Sequence, residues 1–189
     1  PRVLMLDEPL SNLDPAIRAT LQQVIRRIQR ELKITTLLVT HDVAEAMALA
    51  DRVAVLLDGR IAAYNTPSTI YERPPTRAAA QFVGINNFLH GRLNGDQFDC
   101  ELGVLPVQAT ANTPRQATFA IRPERIVLHN NVSELHGTIT RADYYGSFCE
   151  YDIAVQNTRL IVRESHQPLR NCGDQVGVFL PAEALFEVT

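Results

Sequence analysis

Leu4-Met5-Leu6-Asp7-Glu8-Pro9-Leu10-Ser11-Asn12-Leu13-Asp14 is the stretch on which the reading of this 189-residue chain turns. Val3-Leu4-Met5-Leu6 is a short continuous apolar run, the pattern of a strand buried on both faces in a parallel sheet. Charge then arrives abruptly at Asp7-Glu8. Two adjacent carboxylates therefore stand at the C-terminal edge of a strand, where open α/β sheets bind their ligands. After the turn Ser11-Asn12-Leu13-Asp14, Asp14 suits an N-cap and Pro15 the first helical position, which predicts a helix to about Lys33. Ile17, Leu21, Val24, Ile25, Ile28 and Leu32 recur at the spacing of one buried face, with Gln22, Arg26, Arg27 and Arg30 opposite.

Outward from that stretch, residues 35–40 read as a second β-branched, apolar strand, ending on His41-Asp42. A short helix over 45–49, a third strand over 51–57 and an Asp58-Gly59 hairpin turn into 60–64 complete an α/β order. Residues 67–72 and 76–83 predict two short helices on either side of Pro74-Pro75, which breaks any continuous helix there. From about Ile85 the pattern changes. Short alternating runs at 88–93, 98–102, 118–121, 137–142, 148–155, 160–162 and 176–180 predict a small all-β domain. Two domains are expected, over 1–84 and 85–189.

Composition supports globular protein: 46% of residues are hydrophobic, and the 21% charged fraction is too low and too mixed in sign for a disordered chain. The net charge of -3 argues against a nucleic-acid partner, and beyond Gly84 eight basic residues face twelve acidic ones. Cys100, Cys149 and Cys172 are widely spaced, with no CxxC pair and no His at metal-ligand offset. They predict buried or half-buried free thiols in a reducing compartment. No window approaches the roughly 18 apolar residues of a membrane span, and the start has no secretory pattern, so a soluble chain is expected. Because it opens on Pro1, directly at an apolar strand, an excised fragment is expected.

The stretch 4–14, together with Leu37-Leu38-Val39-Thr40-His41-Asp42 one helix-length crossover later, resembles the Walker B, D-loop and H-loop segments of ABC-type ATPases. By that resemblance Asp7 would help hold Mg²⁺ beside the phosphates of ATP. Glu8 would be the general base toward the attacking water. Ser11, Asn12, Leu13 and Asp14 would form the D-loop that crosses a dimer interface. His41 would be the switch histidine at the γ phosphate, one ring nitrogen donating there and the other kept for positioning.

Phosphate binding in that class needs a glycine-rich loop ending in Gly-Lys-Ser/Thr. Lys33 is the sole lysine and follows Leu32, and the sequence contains no Gly-Gly pair for an LSGGQ-like signature. The resemblance puts both motifs upstream of Walker B, before Pro1. The chain alone is therefore expected neither to bind ATP tightly nor to hydrolyse it.

The second half resembles the OB-like TOBE domain that follows the ATPase domain in importers of sugars, polyamines, ferric iron and oxyanions. Ala120-Ile121-Arg122-Pro123-Glu124-Arg125-Ile126 and Tyr144-Tyr145-Gly146 carry that resemblance. Arg122 and Glu124 can pair locally, while Pro123 marks a strand end. Tyr144, Tyr145, Phe148 and Tyr151 form the densest aromatic cluster, read as barrel core or domain interface, with a ligand platform as the other reading. His90, His129, His136 and His166 lack mutual spacing and are expected at the surface or in turns.

The expected fold is thus a partial P-loop NTPase-like α/β portion followed by a TOBE-like β domain. The implied protein is the ATP-hydrolysing subunit of an ABC importer, working as a homodimer at the cytoplasmic face of the membrane. Its other partners would be transmembrane permease subunits and, indirectly, a periplasmic or extracellular substrate-binding protein. A TOBE module for dimer contact, regulation or small-anion binding is the alternative reading. Residues 99–107 are more similar to ferric-iron members than to sugar members. The unpaired sheet edge predicts self-association.

Overall fold

In a computed structural model, residues 3–130, 135–165 and 169–189 are described. Pro1 and His166 lie outside them. The chain divides into two compact units, Pro1–Pro74 and Pro75–Thr189. The sequence put the join at 84. Helix α4 (Arg77–Phe82) belongs instead to the second unit, where Arg77 N–H donates to the Thr189 carbonyl and its guanidinium lies over the Phe88 ring.

In the first unit, β1 (Val3–Asp7) and β2 (Thr35–Val39) pair in parallel, joined through helix α1 (Pro15–Leu32). Asp14 caps α1 by accepting the Ile17 N–H at 3.1 Å, and Lys33 ends it in a left-handed conformation. The apolar run of β1 is not buried on both faces: Leu4 and Leu6 are half-buried, but Val3 and Met5 are exposed, Met5 to 72%. An unbroken apolar run fits two covered faces, and here only one is covered. Helix α1 departs from expectation in the same way, since none of its residues is buried and Leu32 is 60% exposed.

Helix α2 (Val43–Leu49) is capped by Asp42, and α3 (Pro67–Glu72) by Thr66. Strand β3 (Val53–Leu57) does not join the parallel sheet. It pairs antiparallel with β4 (Arg60–Asn65) in a separate two-stranded sheet, through a turn in which Asp58 and Gly59 both have positive φ, 49° and 73°. That is the geometry the Asp-Gly pair favours, and its local pairing wins over the parallel arrangement read from element order.

The second unit is all antiparallel. A three-stranded sheet runs in the order β12 (Phe186–Val188), β6 (Gly103–Ile121), β5 (Asn87–Cys100). A five-stranded sheet runs β10 (Thr158–Glu164), β9 (Cys149–Val155), β8 (His136–Tyr144), β11 (Gln175–Phe179), β7 (Val127–His129). Leu93, Phe98, Phe119, Ile139, Tyr151, Ile153 and Leu160 fill one shared core. The Asn87 amide bridges the sheets: Nδ2 donates to the Ile161 carbonyl and Oδ1 accepts the Ile161 N–H, both at 2.7 Å. The runs read separately at 88–93 and 98–102 are one bulged strand. Gly91 must be glycine, because a Cβ there would run into the Asp99 carbonyl on the same strand.

Cys149 is buried and Cys100 half-buried, but Cys172 is exposed, its Sγ 3.2 Å from the Thr140 carbonyl. The aromatic cluster also divides. Tyr151 enters the core, while Tyr144 is 69% exposed and Tyr145 stacks on Phe148 with ring centroids 5.0 Å apart.

One ionic network crosses β8, β9 and β10. Arg141 donates through Nε to Asp152 at 2.8 Å and through Nη2 to Glu150 at 2.9 Å, and also pairs with Asp143; Arg159 reaches Asp152 and Arg163 reaches Glu150. Burial pushes the Asp152 carboxyl up, but the bonds from Arg141 and Arg159 outweigh it and hold the group below its ordinary 3.8. A depressed carboxyl contributes stability above its unfolded value, lost as pH falls through the folded one.

Arg141→Ala is expected to cost about 1–3 kcal/mol at neutral pH in urea unfolding, because it leaves buried acceptors short of a donor. The gap should close as pH falls below 3.8. Gly91→Ala is expected to cost about 1–3 kcal/mol by the same measurement.

Candidate functional site

The parallel register sets Asp7 opposite Val39, so both strands end together. The Glu8 N–H continues the ladder to the Val39 carbonyl at 2.8 Å, and the chain then turns sharply, with Glu8 at φ 44°. A left-handed conformation in a residue with a Cβ is strained. It is held by the Ser11 N–H and hydroxyl, both donating to the Glu8 carbonyl, at 3.3 and 3.0 Å. Pro9 and Leu10 follow, and Leu10 is buried.

From the neighbouring strand end, His41 reaches back. Its Nδ1 lies 2.9 Å from Glu8 Oε1, with both side chains largely exposed. That hydrogen bond, then the Glu8 charge, holds the imidazole above its ordinary 6.5. Asp7 is exposed at the same edge, and among the described residues its carboxylate makes no hydrogen bond or ion pair. Asn12 is exposed, Ser11 and Leu13 half-buried, and Asp14 is engaged as the cap of α1. Residues from two strand ends and one turn thus gather at a single edge of the parallel pair. Among the described residues, Glu8 and His41 are the only two of these that bond side chain to side chain.

Among the described residues no group of three His, Cys, Asp or Glu side chains could hold a metal. Magnesium commonly takes one or two carboxylates and completes its octahedron with water and substrate phosphate, so the donor Asp7 offers has the chemistry that ion requires.

The sequence reading missed three residues that build this edge. Arg18 bonds both the Leu13 carbonyl and Asp42, at 3.3 and 3.2 Å. Thr40 Oγ1 donates to the buried Glu45 at 2.6 Å and accepts the Asp42 N–H at 3.0 Å. A basic residue soon after a cap, and Thr and Glu bracketing His-Asp, were visible as letters, but their pairing needs the crossover of α1.

In the second unit, the 122–124 segment forms the expected local pair, Arg122 Nη1 and Glu124 Oε1 lying 3.6 Å apart beside the buried Pro123. His90, His129 and His136 are exposed. Residues 119–186 match the TOBE domain family.

Over those residues the chain is similar to a TOBE domain. Along nearly its whole length it is also similar to ABC importer ATP-binding subunits. One is a spermidine/putrescine import ATP-binding protein of Pseudomonas fluorescens (strain Pf0-1), 37% identical over 97% of this chain and 55% of that protein. Another is an Fe(3+) ions import ATP-binding protein of Rhodococcus jostii (strain RHA1), 34% identical over 98% of this chain and 55% of that protein. A spermidine/putrescine import ATP-binding protein of Thermobifida fusca (strain YX) is 39% identical over 86% of this chain and 46% of that protein. The chain spans about half the length of these curated relatives. Among solved structures, the molybdate-bound cytoplasmic molybdate-binding protein ModG is matched at TM-score 0.43 and 13% identity, over 56% of this chain and 98% of that one. No helix among the described residues is long and apolar enough to cross a membrane.

The His41 titration midpoint is expected above 6.5 by NMR, and Glu8→Gln is expected to bring it down toward that value. An imidazole that titrates unchanged in Glu8→Gln would mean the pair does not form in solution.

Proposed function

We propose that this chain supplies the water-activating side of an ATP-hydrolysing site in the energy-coupling subunit of an ABC importer. The observation that carries the reading is the contact of Glu8 with His41 at the C-terminal edge of a parallel strand pair. A carboxylate there can accept a proton from water, and it serves best when another group fixes its orientation. His41 does this through Nδ1, and as the imidazolium that Glu8 favours it can also donate from Nε2–H to a bound phosphate. Magnesium, held by Asp7, would neutralise charge on the phosphates of ATP when bound. The 11–14 turn, with Asn12 exposed at its tip, is the part of the chain proposed to meet a second copy.

The first unit supports this reading from a second direction. Its apolar strand faces and the stripe of α1 are more exposed than a finished core allows, as expected of a surface made to be covered by protein. The α/β unit is accordingly proposed as part of a P-loop NTPase-like domain in a homodimer on the cytoplasmic side of the membrane. Permease subunits are its direct partners there, and an external substrate-binding protein is reached through them. Relatives named for polyamine and for ferric-ion import make a cation of one of those classes the proposed cargo.

Taken alone, the chain is proposed to bind Mg-ATP weakly. Its single lysine, Lys33, ends α1, roughly 27 Å along the helix axis from Asp14, and cannot serve phosphates at the strand edge. Calorimetric titration with Mg-ATP should show no micromolar binding, and such binding would refute this. In the complete subunit, Glu8→Gln is expected to lower kcat on the order of 10²–10⁴-fold while ATP still binds. Near-normal turnover in that variant would refute the assignment of Glu8.

A further inference from the structure

One side chain at this edge touches neither Glu8 nor His41, yet is bonded to the turns that carry them. Arg18, in the first half of α1, donates through Nη2 to the Leu13 carbonyl at 3.3 Å and through Nη1 to Asp42 Oδ2 at 3.2 Å. Asp42 follows His41 directly and is itself fixed, its Oδ1 accepting the Ala44 and Glu45 N–H groups at 2.8 and 3.2 Å as the cap of α2. One planar fork therefore spans two segments far apart in sequence. A guanidinium presents its donors in fixed geometry, so satisfying both acceptors fixes the separation of the two turns, which a flexible ammonium cannot do. Arg18 Nε is buried without an acceptor among the described residues, so the two Nη bonds, and not the satisfaction of every donor, set where the group sits.

The Asp42 end is braced independently. Thr40 Oγ1 accepts the Asp42 N–H and donates to Glu45, which is only 2% exposed. His41 is thus held between two anchored neighbours, and its neighbour Asp42 bonds Arg18 directly. Coupling between separate sites travels through contiguous rigid contacts of this kind, and it must be shown by perturbing one end and reading the other.

We propose that Arg18 is a positioning residue that locks the Ser11-Asn12-Leu13-Asp14 turn to the His41 turn, so that displacement of either is carried to the other. Its consequence for turnover rests on the function proposed above. The structural link does not.

The test uses the ¹⁵N-labelled chain, reading the His41 ring nitrogens and the Leu13 and Asp14 amides, with the amides of β3 and β4 as a reference for folding of the first unit. Arg18→Ala is expected to shift both sets. Arg18→Lys, which can pair with Asp42 but cannot span both acceptors, is expected to return the His41 signals while leaving Leu13 and Asp14 displaced. Unmoved His41 signals in Arg18→Ala overturn the proposal. Should Arg18→Ala unfold the first unit, Asp42→Asn keeps a capping oxygen and removes the charge facing Arg18. It is expected to move the Leu13 and Asp14 amides, and unmoved amides overturn the proposal equally.

Neither arm needs nucleotide, so a complete subunit that fails to hydrolyse ATP would sink the functional reading without touching this link. In an active subunit, Arg18→Ala should lower kcat on the order of ten- to a hundredfold with KM for ATP little changed. A rise in KM at constant kcat would overturn the positioning role.

Discussion

The parallel register of β1 and β2 is the constraint from which the candidate site follows. With Asp7 opposite Val39, the two strands run out at the same level, and the residues just beyond them, Glu8 and His41, are delivered to one edge. A slip of one residue would turn the alternate side chains to the other face and separate the pair. The ladder bond from the Glu8 N–H to the Val39 carbonyl extends that register past the last strand residue, which makes the backbone of the acidic turn part of the sheet.

Much of the first unit was legible because its signals are local. Asp14 before Pro15 announced the start of α1, and the Asp-Gly pair announced a hairpin whose two residues both adopt positive φ. The edge location of Asp7, Glu8 and His41 was legible too, since a strand ending in charge leaves few other places for carboxylates. Burial was not. The apolar run of β1 and the stripe of α1 report what those surfaces prefer to touch, whereas exposure depends on which neighbours are present, and Met5 and Leu32 are largely open.

In the second unit the misreadings came from polar residues within strands. Asn94, Gly95, Asp96 and Gln97 carry turn chemistry, yet they lie in the bulged middle of β5, because the long hairpin with β6 supplies their pairing from outside the segment. Strand β6 was overlooked before 118 for the same reason, its Pro106 sitting opposite Gln97 in the ladder. Cross-sheet devices were invisible in principle. Nothing local marks Asn87 as the amide that bonds Ile161, or Arg141 as the hub of three carboxylates.

The left-handed backbone at position 8 sets stability against the proposed chemistry at a single residue. Glycine would adopt φ 44° without the steric cost a Cβ brings, on the order of 1 kcal/mol, so it would relax the turn while deleting the carboxylate. The occupant that best suits the backbone is therefore the one that would delete the carboxylate proposed as the base, so thermal robustness and the proposed chemistry pull apart at this position.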